Sequence, residues 1–130
     1  MSHFSTIKTK LIEKEPLIKA LDQLGYNPNQ DEKFVKGYQG KFTAVDISLD
    51  LPEDTKVGFK WSNDAYSYEL VTDLELWKYH LPVERFISKV TQMYAYQTII
   101  SQTQKDGYQI VEQKNENDGS IELVLTKWEA

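Results

Sequence analysis

Residues able to do chemistry are sparse in this chain of 130 residues. Cysteine is absent, which removes disulfides, thiolate zinc sites, iron–sulfur ligation and cysteine nucleophiles. Imidazole is then the most telling metal donor, and only His3 and His80 supply it. Neither sits in an HxH, HExxH or Glu-x-x-His spacing. In sequence His80 lies near Asp73, Glu75 and Glu84, a setting for a mixed His/carboxylate site or an axial porphyrin ligand, but loop histidines beside acids are commonplace. A Ser or Thr nucleophile would need a base, an orienting acid and a constrained turn, and no GxSxG elbow is present. Gly37-x-x-Gly40 is too short for a phosphate loop and reads as a hairpin turn. Asp46, Asp50, Glu53 and Asp54 lack the DxDxDG spacing of a calcium loop, and Asp46 and Asp50 fall in phase on the polar side of a strand. The expectation is therefore no catalytic residue, no metal ligand set and no cofactor.

Aromatic side chains are the excess. Trp61, Tyr66, Tyr68, Trp77 and Tyr79 fall within nineteen residues, with Tyr94, Tyr96, Tyr108 and Trp128 further on. Tyr and Trp bury large area at low rotamer cost and keep a polar tip, which suits partner surfaces as well as cores. Alternation assigns Trp61, Tyr66 and Tyr68 to one strand face and hence to packing. Tyr94 and Tyr96 point about 200° apart on a helix, so one sheet does not bury both. Trp77, Tyr79 and Tyr96 are the expected partner-binding residues.

These residues must be positioned by regular elements. β-Branched residues and Phe4 mark a strand over 2–10. Leu17, Ile18, Leu21 and Leu24 recur at helical spacing, with Pro16 in the first turn and Gly25 beyond the last, so a helix spans 15–24. The period then becomes two. Phe34 and Val35 lead into Gly37-Tyr38-Gln39-Gly40; Val45, Ile47, Leu49 and Leu51 alternate with polar residues; Pro52-Glu53-Asp54 breaks the run. Val57, Phe59 and Trp61 follow, then a turn at 62–65, then Tyr66, Tyr68 and Leu70: an antiparallel meander. Asp73 caps a short helical turn. Pro82 opens the longest helix, to about residue 105, with an apolar stripe at Val83, Phe86, Ile87, Val90, Met93, Tyr94, Gln97 and Ile100. Gly107 ends it, and strands at 108–113 and 120–127 flank a turn at 115–119. The order β-α-β-β-β-β-α-β-β implies an α+β fold with a largely antiparallel sheet and two main helices on one face, an elaborated ferredoxin-like sandwich. No repeat or linker divides it, so residues 1–130 form one domain.

Charge narrows the partners. Net charge is -5 and the pI about 5.0, without the clustered cations that displace phosphate counterions, so nucleic acid is not expected. Residues 1–41 nevertheless hold seven lysines against five acids, giving a mildly basic face near Lys8, Lys10, Lys14 and Lys19 whose plainest reading is a solvated surface. No apolar run approaches the ~18 residues of a membrane span, and the start MSHFSTIKTK lacks a secretory apolar stretch.

The opening Met1-Ser2-His3-Phe4-Ser5-x-Ile7-Lys8-Thr9, Ala20-Leu21-x-x-Leu24-Gly25-Tyr26, Gly37-Tyr38-x-Gly40 and Gly58-Phe59-x-Trp61 form an ordered series. Tyr68-Glu69-Leu70-Val71-x-Asp73 with Trp77, Tyr94-Ala95-Tyr96 and Asp118-Gly119-Ser120-Ile121 complete it. Together they resemble the uncharacterised family called hypothetical chloroplast reading frame thirty-five, of cyanobacteria and algal plastids, over nearly the whole chain. The resemblance implies a setting, cyanobacterial cytoplasm or plastid stroma, and no catalytic residues. The expected function is a non-catalytic accessory or regulatory protein of photosynthetic organisms acting on a protein partner, with a homodimer through an edge strand also open. The alternative is a small-ligand protein or enzyme holding a tetrapyrrole or nucleotide between sheet and helices.

Overall fold

The computed structural model describes residues 4–115 and 120–127. His3, the turn residues Glu116, Asn117, Asp118 and Gly119, and Trp128 lie outside them. In chain order the elements are β1 (Phe4–Lys8), α1 (Lys14–Gln23), β2 (Phe34–Lys36), β3 (Phe42–Ala44), β4 (Ile47–Leu51), β5 (Thr55–Ser62) and β6 (Ser67–Asp73). A 3-10 turn at Leu74–Leu76 precedes α2 (Val83–Lys105), β7 (Tyr108–Asn115) and β8 (Ile121–Lys127). The α+β class, the antiparallel sheet and the two helices agree with the sequence pattern.

The main sheet has four strands in the order β1-β6-β5-β4, all antiparallel. Its register aligns Ile47 with Phe59, Phe59 with Leu70, and Leu70 with Ile7, so one apolar row crosses all four strands. Because side chains alternate across a strand, this row and its neighbours Leu49, Leu51, Val57 and Tyr68 share one face. The helices cover that face. Leu17 and Leu21 of α1 and Phe86 and Val90 of α2 are completely buried against it, forming the main core. Polar residues of α1 face outward, Lys19 pairing with Glu15 at 3.3 Å one turn away. Tyr94 joins the helices: its hydroxyl accepts the main-chain N–H groups of Ile12 (3.1 Å) and Glu13 (2.9 Å), donors that open α1 without a side-chain cap.

The other face is covered by a ribbon of which the sequence showed the Phe34-Val35 lead-in and the turn but not the returning strand. β2 and β3 pair as a separate two-stranded sheet, Lys36 opposite Phe42 and Phe34 opposite Ala44. Its inward Val35 packs with Val45 on Val71 of β6, and Phe4 joins the cluster. Gly58 of β5 makes this approach feasible. A Cβ there would stand 2.5 Å from Cγ1 of Val45 and 2.7 Å from Cγ2 of Val35, closer than carbon atoms pack. The segment 42–44, separate from β4, adds one strand to the expected order because the chain passes from the ribbon to the main sheet at Val45 and Asp46.

β7 and β8 form a third, two-stranded sheet resting on α2, with a register shift between Ile110 and Glu112. Smaller adjustments are local. Tyr66, expected in a strand, stands in the turn before β6 with φ of 53° and is 70% exposed, although its ring still meets that of Trp61 at 5.4 Å. Both helices stop where glycine takes a left-handed φ of 84°, at Gly25 and Gly107.

Candidate functional site

The outward face of the β2–β3 ribbon carries the two most exposed phenylalanines among the described residues. With Val35 turned inward, the pleat turns Phe34, Lys36, Phe42 and Ala44 to solvent, and register places Lys36 beside Phe42. Phe34 is 56% and Phe42 63% exposed. The connecting turn, Tyr38–Gly40, is closed by the Gly37 N–H donating to the Lys41 carbonyl at 2.7 Å and takes left-handed φ at Gln39 (56°) and Gly40 (71°). Buried Asp73 pins it from below. One carboxylate oxygen accepts the Tyr38 N–H (3.0 Å), while the other accepts the Glu75 N–H (3.0 Å), the expected cap of the short helical turn. Beside the ribbon lie two recesses. Phe34, Lys36, Phe42 and Lys56 line one of about 170 Å³, and Lys36, Lys56, Lys78 and Asp54 line one of about 290 Å³.

Sequence reading did not single out Phe34 and Phe42. The signal was present: closing the two strands around Gly37–Lys41 as a hairpin puts both on one face with Lys36, opposite Val35.

Trp77 and Tyr79 stand together at a different place, the edge of the main core. Both are half-buried. The Trp77 ring meets Phe86 at 6.0 Å, and its indole N–H donates to the Leu81 carbonyl at 3.1 Å. Tyr79 meets the Tyr26 ring edge-on at 6.4 Å with the two hydroxyls 3.2 Å apart. That hydrogen bond, and burial after it, holds the Tyr79 phenol above its ordinary pKa. Tyr26, Tyr79, Lys89 and Asp50 border a recess of about 570 Å³, with the Lys89 ammonium 5.5 Å from the Tyr26 ring centroid. Tyr96 is elsewhere again. Half-buried on α2, it donates its hydroxyl to the Gln113 side-chain carbonyl of β7, while Tyr94 two residues earlier packs on the main core. The structure thus brings Trp77 and Tyr79 together and leaves Tyr96 with the third sheet.

His80 does not meet Asp73, Glu75 or Glu84; its Nδ1 lies 2.7 Å from Oε1 of Glu53 in the β4–β5 turn. Folding back of that turn, with Glu53 in a left-handed conformation, replaces the neighbours in sequence. The hydrogen bond to His80 holds the Glu53 carboxyl below its ordinary pKa. Three of the four acids Asp46, Asp50, Glu53 and Asp54 are engaged separately: Asp46 accepts the Trp61 N–H at 2.7 Å, Asp50 pairs with Lys56 at 2.7 Å, and Glu53 holds His80. Among the described residues no three metal-ligating side chains converge. Hydroxyls of Thr9, Ser48 and Thr72 donate to main-chain carbonyls and do not approach His80. No helix among the described residues is long and apolar enough to cross a membrane. The recesses described lie at the margins of the helix–sheet core and on the far side of the sheet.

Comparison with known proteins places the chain. The family described as "Protein of unknown function (DUF1257)" matches residues 20–124. The chain belongs to this family. Relatives of this DUF1257 chain named "Uncharacterized protein ycf35" include those of Pyropia yezoensis and Guillardia theta, each 34% identical over 128 residues, and of Cyanophora paradoxa, 32% identical over 128. In each case 98% of this chain and 98% of the relative are covered. The name designates a hypothetical chloroplast reading frame, in agreement with the resemblance noted above. No solved structure matches the chain.

Proposed function

We propose that this protein is a non-catalytic accessory or regulatory protein of photosynthetic organisms, working in the cyanobacterial cytoplasm or plastid stroma by docking on a protein partner. One observation carries this reading. Phe34 and Phe42 are more than half exposed on the outer face of a ribbon whose inner face is locked to the sheet. Leaving two Phe rings more than half in water forfeits about 1–2 kcal/mol of burial each, which a covering partner recovers. Trp77 and Tyr79 at the core margin and Tyr96 beside β7 are further anchors in this proposal, each half-buried with its polar tip held by a neighbour in the chain. The test is native co-purification of tagged protein with mass spectrometry. A stoichiometric partner is expected with the unaltered chain and its loss with F34S/F42S; recovery of no stoichiometric partner by the unaltered chain ends this reading.

A second reading is a small ligand, a tetrapyrrole or nucleotide, seated in the recess of about 570 Å³ beside Tyr26, Tyr79 and Lys89. Cation and aromatic faces there suit a planar anionic molecule. Trp77 stands next to Tyr79, so its fluorescence reports occupancy. Unchanged emission and melting temperature across a panel of pigments and nucleotides would exclude it.

A further inference from the structure

We infer that the β2–β3 ribbon receives a short acidic segment of its partner in extended form, apolar side chains against Phe34 and Phe42 and carboxylates toward Lys36 and its neighbouring lysines. This rests on the docking reading above and adds the partner's chemistry. The stretch 33–42 carries Lys33, Lys36 and Lys41 and no acid, in a chain whose net charge is -5. Among the described residues Lys33, Lys36, Lys41 and Lys78 have no ion pair, whereas nearby Lys56 is held by Asp50. Lys36 beside Phe42 on the outward face, with exposed Lys33 and Lys41 at the ends of the ribbon, makes an amphipathic surface of opposite sign to most of the molecule.

Geometry limits what fits. Lys36 borders both recesses, Glu32 and Asp50 sharing the lining of the one beside Phe34 and Phe42 and Asp54 that of the cleft with Lys56 and Lys78, so the unpaired cations open to the segment are those of the ribbon and Lys78. The carboxylate of Asp73 in that cleft is spent on two main-chain N–H groups and buried, 3% exposed. Three residues per strand give the ribbon about 10 Å of length, the reach of three or four residues of extended chain. Charges beyond about 8 Å are screened at physiological salt, so the patch acts locally despite the negative total. A polynucleotide with a phosphate at every step would run on into Glu32, Asp50 and Asp54, which line those recesses. A short segment of alternating acidic and apolar residues, confined to the outward face with Phe34, Lys36 and Phe42, stops short of them.

The full chain can be titrated into a fluorescein-labelled hexapeptide alternating Asp or Glu with Leu, read by anisotropy. Its lysine-substituted twin, a dodecamer of oligouridylate and phosphatidylglycerol vesicles are the comparisons. Saturable binding of the acidic peptide is expected, weakening as salt rises and falling about tenfold with K36E and with F42S. Both substitutions are at solvent-facing positions, and unchanged melting temperatures would show that the fold survives. Absence of binding overturns the proposal, as does binding indifferent to both substitutions or tighter binding of the oligonucleotide, the lysine peptide or the vesicles. In co-purification, a K33E/K36E/K41E chain that keeps the native partner refutes the acidic occupant and leaves docking standing. An unaltered chain that recovers no partner removes docking itself.

Discussion

The hydroxyls of Tyr26 and Tyr79, 3.2 Å apart, make a titration with a definite sign. A phenol whose pKa is raised by folding adds stability that is whole below the ordinary tyrosine value, near 10, and drains away as pH climbs through the folded value. Tyr68 has the same direction from a different first cause, burial beneath the helices. Stability should therefore fall on the alkaline side. Absorbance at the phenolate band should show Tyr79 ionising late in the unaltered chain and earlier in Y26F; coincident curves would refute the assignment. Tyr94 makes a second residue-scale prediction. Y94F should cost about 1 kcal/mol and speed hydrogen exchange at the Ile12 and Glu13 amides, which lose their acceptor. No such link was legible in sequence, since Tyr94 and Ile12 are 82 positions apart. The same holds for Glu53 and His80. Side-chain partners across a fold depend on where turns return the chain, whereas the Asp73 cap was legible because donor and acceptor are two residues apart.

Elements carry larger energies. α1 was legible from Leu17 and Leu21 because one period settles which side faces the sheet. L21D should destabilise by about 3 kcal/mol or more, an unpaired charge entering a fully buried site, and an unchanged melting temperature would refute this packing. Gly58 governs the opposite face. G58A should cost about 1–3 kcal/mol and perturb the NMR signals of Val35 and Val45 ahead of those under the helices, because its methyl would meet their side chains. The meander β4-β5-β6 was readable as alternation broken by turns. Division of the early strands into a separate ribbon was not, since β2 and β3 are three residues each and show little period. The candidate site was hidden for that reason: Phe34 and Phe42 acquire a common face only once the hairpin is closed.

At the scale of the molecule, three sheets are supported differently and their stabilities should differ. The main sheet is covered on both faces, whereas β8 leaves Val124 and Leu125, on opposite faces of a strand, about 40% exposed. A two-stranded sheet packed mainly on one helix opens more readily than a buried four-stranded one. Native-state hydrogen exchange should find β8 amides opening well below the global free energy and β5 amides near it; uniform protection would contradict the layering. The pairing of β1 with β6 has a consequence for synthesis. Ile7 faces Leu70, so the first strand made waits for a partner over sixty residues later. At ~5–20 residues per second the ribosome takes several seconds to deliver it. Once β6 emerges it can zip onto β5 by a neighbouring hairpin, but its other flank stays unpaired until β1 comes back. Closure of the sheet is thus a late step of biogenesis, and the newborn chain has an open strand edge for a chaperone to guard.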